Sequence, residues 1–262
     1  MDPLFEFLCR MGDNTLVLGH RLSEWCGKAP VLEEDIALAN TALDLIGQTQ
    51  MWLTYAGEVE GKGRDADRLA YFRDPYDFRC CLLVQQPNGD FGYTMMRQFL
   101  FDCYHLCLLD MLATGKGAGA PHRANPSSDQ RIAEIAAKAV KEVTYQQERS
   151  ADLVIRLGDG TEESHIRMQR ALDALWPLTR DMAALDQVDH AMAEADVIAD
   201  PGALASLWEY MARNVLAEAT LIPPDVSHFQ KGGKTGQMHS EHLGHLLAVM
   251  QSLPRSHPNA SW

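Results

Sequence analysis

The segment Phe91–Leu112, FGYTMMRQFLFDCYHLCLLDML, constrains the fold more than any other stretch of the chain. Phe99, Leu100, Cys103, Leu106 and Cys107 recur at three- and four-residue spacings, and Tyr104, Leu108 and Met111 fill the opposite side. This pattern predicts a helix that is apolar on nearly every face, and such a helix has to be enclosed by other helices. Asp102, His105 and Asp110 are set into it. A carboxylate removed from water costs several kcal/mol unless a charge or hydrogen-bond donors meet it. The core is therefore expected to contain a polar cluster.

Asp102-Cys-Tyr-His105 has carboxylate-x-x-His spacing, which puts both groups on one flank of a helix. Helical bundles build di-iron sites with this spacing, from Glu-x-x-His on two helices and lone Glu residues on two others. The chain supplies candidate acids in Glu24, Asp44, Asp102 and Glu142. It does not supply the imidazoles. Asp44-Leu-Ile-Gly47 and Glu142-Val-Thr-Tyr145 stand where histidine would complete each pair. Lys138 and Lys141 lie within a turn of Glu142 and would replace a cation electrostatically. The expectation is a degenerate, metal-free cluster of Glu24, Asp44, Asp102, His105, Glu142 and Tyr145, with no catalytic residue in this chain. The alternative is a ferritin-like di-metal oxidase active by itself.

The other segments also read as helices. Asp13 or Asn14 is expected to cap a helix over 15–26, and 31–60 to form one long helix with Leu38, Ala42, Leu45, Thr49, Trp52 and Ala56 inward. Residues 61–77 are a polar crossover, with a short helix around 75–83. Residues 115–128 are a Gly/Pro/Ser loop, and Asp129 caps a helix to Leu157. Pro177 interrupts a helix over 164–184, Asp200-Pro201 opens another to about Ala219, and a last one is expected over 237–253. No period-2 strand pattern and no domain boundary is visible. The reading is a single all-α domain over residues 1–262, a ferritin-like four-helix bundle with additional C-terminal helices, the long link being the crossover of that fold.

Charge narrows the partners. Lys plus Arg is 23 against 36 Asp plus Glu, a net −13, which disfavours nucleic acid and anionic membrane surfaces. No apolar run approaches the roughly 18 residues of a membrane span, and the start lacks the basic region of a signal peptide. None of the six cysteines forms Cys-x-x-Cys, so reduced thiols and a cytoplasmic location are expected. Gly-Gly-Lys-Thr at 232–235 is not a P-loop: His228 stands where its first glycine should be, and no strand precedes it. His239-Ser-Glu241-His242, with His245, lacks the cysteine pair of a zinc deaminase and reads as polar residues at a helix start that contact a loop or a partner.

Four longer strings carry a resemblance: Gly12-Asp-Asn-Thr-Leu-Val-Leu-Gly-His-Arg-Leu-Ser-Glu-Trp-Cys-Gly27, Leu38-Ala-Asn-Thr-Ala-Leu-Asp-Leu-Ile-Gly-Gln48, Gln85-Gln-Pro-Asn-Gly89 and Gly232-Gly-Lys-Thr-Gly-Gln-Met-His-Ser-Glu-His-Leu-Gly244. Together they resemble the C subunits of bacterial phenylacetyl-CoA epoxidase, the ring 1,2-phenylacetyl-CoA monooxygenase, over nearly the whole chain. The resemblance implies a ferritin-like structural subunit in aerobic phenylacetate degradation. Oxygen chemistry on the CoA-activated ring would belong to a paralogous A subunit that holds the di-iron site. A flavin and iron–sulfur reductase would supply electrons, and this chain would itself hold no cofactor. The C subunit would pair with the A subunit, with the first two helices expected to form much of that surface.

Overall fold

The computed structural model describes residues 2–115 and 126–260. In chain order the helices are α1 (Pro3–Ser23), α2 (Leu32–Glu60), α3 (Ala66–Tyr71), α4 (Leu82–Gln85), α5 (Phe91–Thr114), α6 (Gln130–Gly158), α7 (Glu162–Leu175), α8 (Thr179–Ala183), α9 (Gln187–Glu194), α10 (Pro201–Glu218), α11 (Glu241–Met250) and α12 (Ser252–Ser256). Short 3₁₀ turns lie at Pro75–Asp77 and Trp176–Leu178. No strand occurs among the described residues, and no helix there is long and apolar enough to cross a membrane. The residues fall into two compact units, Met1–Pro87 with Lys231–Trp262, and Asn88–Gln230.

In the first unit α1 packs along α2. α1 starts twelve residues before the expected Thr15. Asp2 caps it, accepting a hydrogen bond from the Leu4 amide at 2.9 Å, and Pro3 occupies the first turn, where its missing N–H costs nothing. Asp13 and Asn14 are not caps; both reach across the unit to other segments. Gly12 faces α2 so closely that a Cβ there would lie 2.5 Å from a Leu53 methyl carbon. Thr15 and Thr49 share a hydroxyl–hydroxyl bond of 2.8 Å in the same seam. α2 spans nearly the expected residues and ends at Gly61 with φ 67°, a left-handed cap that glycine adopts without strain.

The helix expected over 237–253 begins at Glu241, not Gln237, and ends at Met250, with the short α12 following it. The backbone just before Glu241 is spent on a loop: the Gln237 and Met238 amides donate to the Gly232 carbonyl, and the Ser240 amide donates to Gln85 Oε1 at 2.8 Å.

In the second unit α5 packs against α6, α7 and α10. Asp90 caps α5 and Asp129 caps α6, each accepting from an amide three residues on. Pro177 breaks the α7–α8 segment as its missing N–H requires. α10 buries Leu204, Trp208, Ala212 and Leu216 at four-residue steps, with Trp208 tilted against Trp176 at 5.6 Å. α9 is unanticipated by the sequence reading. Asp186 caps it, accepting from the Val188 and Asp189 amides. The expected 115–128 loop lies mostly outside the described residues.

Candidate functional site

Asp102 is the buried acid that the sequence singled out, and it is 1% exposed in the middle of α5. Gln98, one turn earlier, donates Nε2–H to Oδ1 at 2.7 Å. Ser150, from α6, donates Oγ–H to Oδ2 at 2.8 Å. Both donors are neutral and both are buried. Burial pushes the Asp102 carboxyl up to about 7, against the opposing pull of the Ser150 and Gln98 hydrogen bonds. The acid is thus accommodated by two neutral donors, the smaller pull of the Arg149 charge and a tendency to keep its proton.

His105 is not Asp102's partner. Its ring stacks on Phe101 at 5.1 Å between centroids, and burial lowers its pKa to about 3, so it is a neutral imidazole. Lys138 and Lys141 are exposed, as the phase of α6 requires: its inward line runs through Ile132, Ile135, Ala139, Val143, Gln146 and Ser150. The proposed lysine neutralisation is corrected accordingly. Tyr145 is 63% exposed, because it sits two positions from Val143 and so about 200° round the helix. Glu142, one residue from Val143, is half-buried.

Glu24 and Asp44 belong to the first unit. Glu24 follows the last turn of α1 at the surface and pairs with Arg21 at 3.0 Å. Asp44 is half-buried on α2. A wholly buried six-residue cluster is therefore not what the chain builds: Glu24 and Tyr145 are surface residues, and what α5 and α6 bring together is Gln98, Asp102 and Ser150. Among the described residues, no three or more His, Cys, Asp and Glu side chains gather in a way that could hold a metal ion. The donors at Asp102, a carboxylate with an amide and a hydroxyl, do not fit a di-iron centre, which needs several carboxylates and imidazoles.

The sequence reading missed a second buried acid. Asp13 is fully buried and meets both terminal nitrogens of Arg73, with Nη1 at 3.1 Å from Oδ2. The Arg79 amide adds a bond of 2.7 Å to Oδ2. Arg73 also donates to the Asp77 carbonyl and lies 4.4 Å from the Phe78 ring centroid. Gln85 was missed too. Its amide binds the Cys80 carbonyl, His239 Nδ1 and the Ser240 amide. Arg21 donates to the Gln85 and His242 carbonyls, and Arg10 Nε donates to the Lys234 carbonyl at 3.1 Å. The Gly-Gly-Lys-Thr loop and the His239–His242 run thus enter the first unit as structural elements.

Two pairs of long helices, α1 with α2 and α5 with α6, make this an all-helical protein, as a protein of the ferritin-like class has to be. Comparison with known proteins narrows this. The chain belongs to the family of phenylacetic acid catabolic proteins, whose family model matches residues 1–262. It is similar to the C subunit of 1,2-phenylacetyl-CoA epoxidase from Escherichia coli, with 42% identity over 262 residues that span the whole of both chains.

Proposed function

We propose that this chain is the C subunit of a phenylacetyl-CoA epoxidase, a structural, non-catalytic partner of the di-iron A subunit in aerobic phenylacetate catabolism. The observation that carries the reading is the end-to-end identity of 42% with the C subunit of the E. coli enzyme. The non-catalytic role is supported by the chemistry around Asp102. A carboxyl met by Gln98 and Ser150, with His105 turned onto Phe101, has the outline of a carboxylate–histidine pair and none of its ligand geometry. The di-iron centre then lies in the A subunit, and the flavin and iron–sulfur groups in the reductase that supplies its electrons. This chain contributes helical surface against which the catalytic subunit is held.

Metal analysis and turnover test it together. The purified chain is expected to hold far less than one iron or manganese and to turn over phenylacetyl-CoA only when the A subunit and reductase are added. About two metals per chain, or oxidation by this polypeptide alone, would establish the di-metal oxidase instead. Normal growth on phenylacetate after loss of the gene would remove the pathway assignment.

A further inference from the structure

Ser150 has one hydroxyl proton and two acceptors within its reach. Its Oγ lies 2.8 Å from Asp102 Oδ2, across on α5, and 3.2 Å from the Gln147 carbonyl, one turn back on α6. A hydroxyl donates once and can accept at the same time, so the two bonds do not form together. Ser150 is fully buried, and the choice between them is made inside the core. It follows from the state of the acid. When Asp102 is ionised, Ser150 donates to Oδ2 and Gln98 to Oδ1, and both carboxylate oxygens are met. When Asp102 is protonated, Oδ2–H donates to Ser150 Oγ. The serine proton is then released to the Gln147 carbonyl, whose second lone pair the helix leaves open. Gln98 donates to Oδ1 in both states. No bond to the acid is lost and no heavy atom has to move.

The added proton belongs on Oδ2. On Oδ1 it would meet the Gln98 N–H, donor against donor, unless that amide turned over. Turning it would put N–H donors where Gln98 Oε1 is now buried without a partner. The surrounding charges leave both states within reach. Cys103 and His105 flank Asp102 on α5, and burial keeps the thiol protonated and the imidazole neutral. Among the described charged groups of α6, α7 and α10, the helices packed on α5, Arg149 is the one whose charge pulls on the carboxyl, and it pulls less than either hydrogen bond.

We propose that Asp102 and Ser150 form a proton switch between α5 and α6. Uptake of one proton by Asp102 reverses the bond between the two side chains and turns the Ser150 hydroxyl onto the Gln147 carbonyl. The core can thus bind or release a proton without repacking. The switch belongs to this chain alone and does not depend on its pairing with another subunit.

NMR of the full-length chain, with carbon-13 at the aspartate carboxyls and the glutamine backbone carbonyls, reads both ends of the switch; Asp102→Asn assigns the carboxyl signal. The Asp102 carboxyl and the Gln147 carbonyl should titrate together, with one midpoint near pH 7. Ser150→Ala suits a helix and should keep the fold. It should raise the Asp102 midpoint by about one pH unit, because the ionised form loses the stronger, charge-assisted bond. The Gln147 carbonyl should then lose most of its response, whereas a through-space effect of the charge would persist. A wild-type Gln147 signal that stays put while Asp102 titrates overturns the proposal, and so does a Gln147 response of equal size in Ser150→Ala. An Asp102 carboxyl that does not titrate between about pH 5 and 9 overturns it as well, since the switch would then have a single state.

Discussion

Asp102→Asn should change how stability depends on pH, and the change follows from two buried groups on one helix. In the folded chain burial raises Asp102 from 3.8 to about 7. Between those values the native acid keeps a proton that the unfolded chain has released, so stability falls as pH rises, by about 1.4 kcal/mol per unit. His105 runs the other way. Burial lowers it from 6.5 to about 3, so between those values the unfolded chain binds a proton that the native state refuses, and stability falls as pH falls. From 3.8 to 6.5 the two slopes cancel, because both states hold one proton on the pair. Asparagine keeps the shape of the neutral acid, and its oxygen still accepts from Gln98. The variant should therefore match the wild type near pH 4 and gain steadily on it, reaching about 4 kcal/mol above pH 7. His105→Leu should do the reverse, matching near pH 7 and gaining as the medium is acidified. Urea unfolding at matched ionic strength, in half-unit steps of pH, reads the difference curves. The slope carries the test, since an imperfect hydrogen bond shifts only the intercept. Parallel wild-type and Asp102→Asn curves from about pH 5 to 7 would show that the native carboxyl is ionised throughout, and the argument from burial would be wrong.

Asp13→Asn leaves the Arg73 guanidinium buried without its counter-charge and should cost about 3–5 kcal/mol, seen in thermal melts as a fall of roughly 6–20 °C. Adding Arg73→Met to it should restore most of that loss; a single-variant cost under about 1 kcal/mol would mean that the pair holds nothing together. At Gly57 a Cβ would sit 1.9 Å from the Arg64 carbonyl oxygen, so Gly57→Ala should destabilise by about 1–3 kcal/mol even though alanine favours helix, and a stabilised variant would refute the close approach. Gln85→Leu removes the hub that holds His239 and Ser240, and hydrogen exchange at the Ser240 amide should accelerate markedly without loss of α1 or α2.

The helices were legible where periodicity is long and caps are local. Asp129, Asp200-Pro201 and Gly61 mark their boundaries by interactions within a few residues, and the helices of 24–29 residues extend almost where the apolar spacing puts them. α1 was misplaced because Gly12-Asp13-Asn14 looks like a cap motif when only neighbours are considered. Asp13 is instead committed to Arg73, 60 residues away, and Asn14 to the Cys81 amide, 67 away. α9 was overlooked although Asp186-Gln-Val-Asp189 is a usable start signal, because eight residues give too little periodicity to weigh.

From the sequence alone came the helical class, the presence of an acid inside an apolar helix, and the shortage of histidines to turn acids into metal ligands. These depend on residue identity and local spacing. Only the tertiary structure decided which groups meet that acid, that His105 rests on Phe101, and that Tyr145 points to solvent. Each residue along a helix turns the side chain by about 100°, and a contact such as Ser150 with Asp102 spans 48 residues. The partner of a buried group is therefore set by helix phase and packing across the core, which no local pattern encodes.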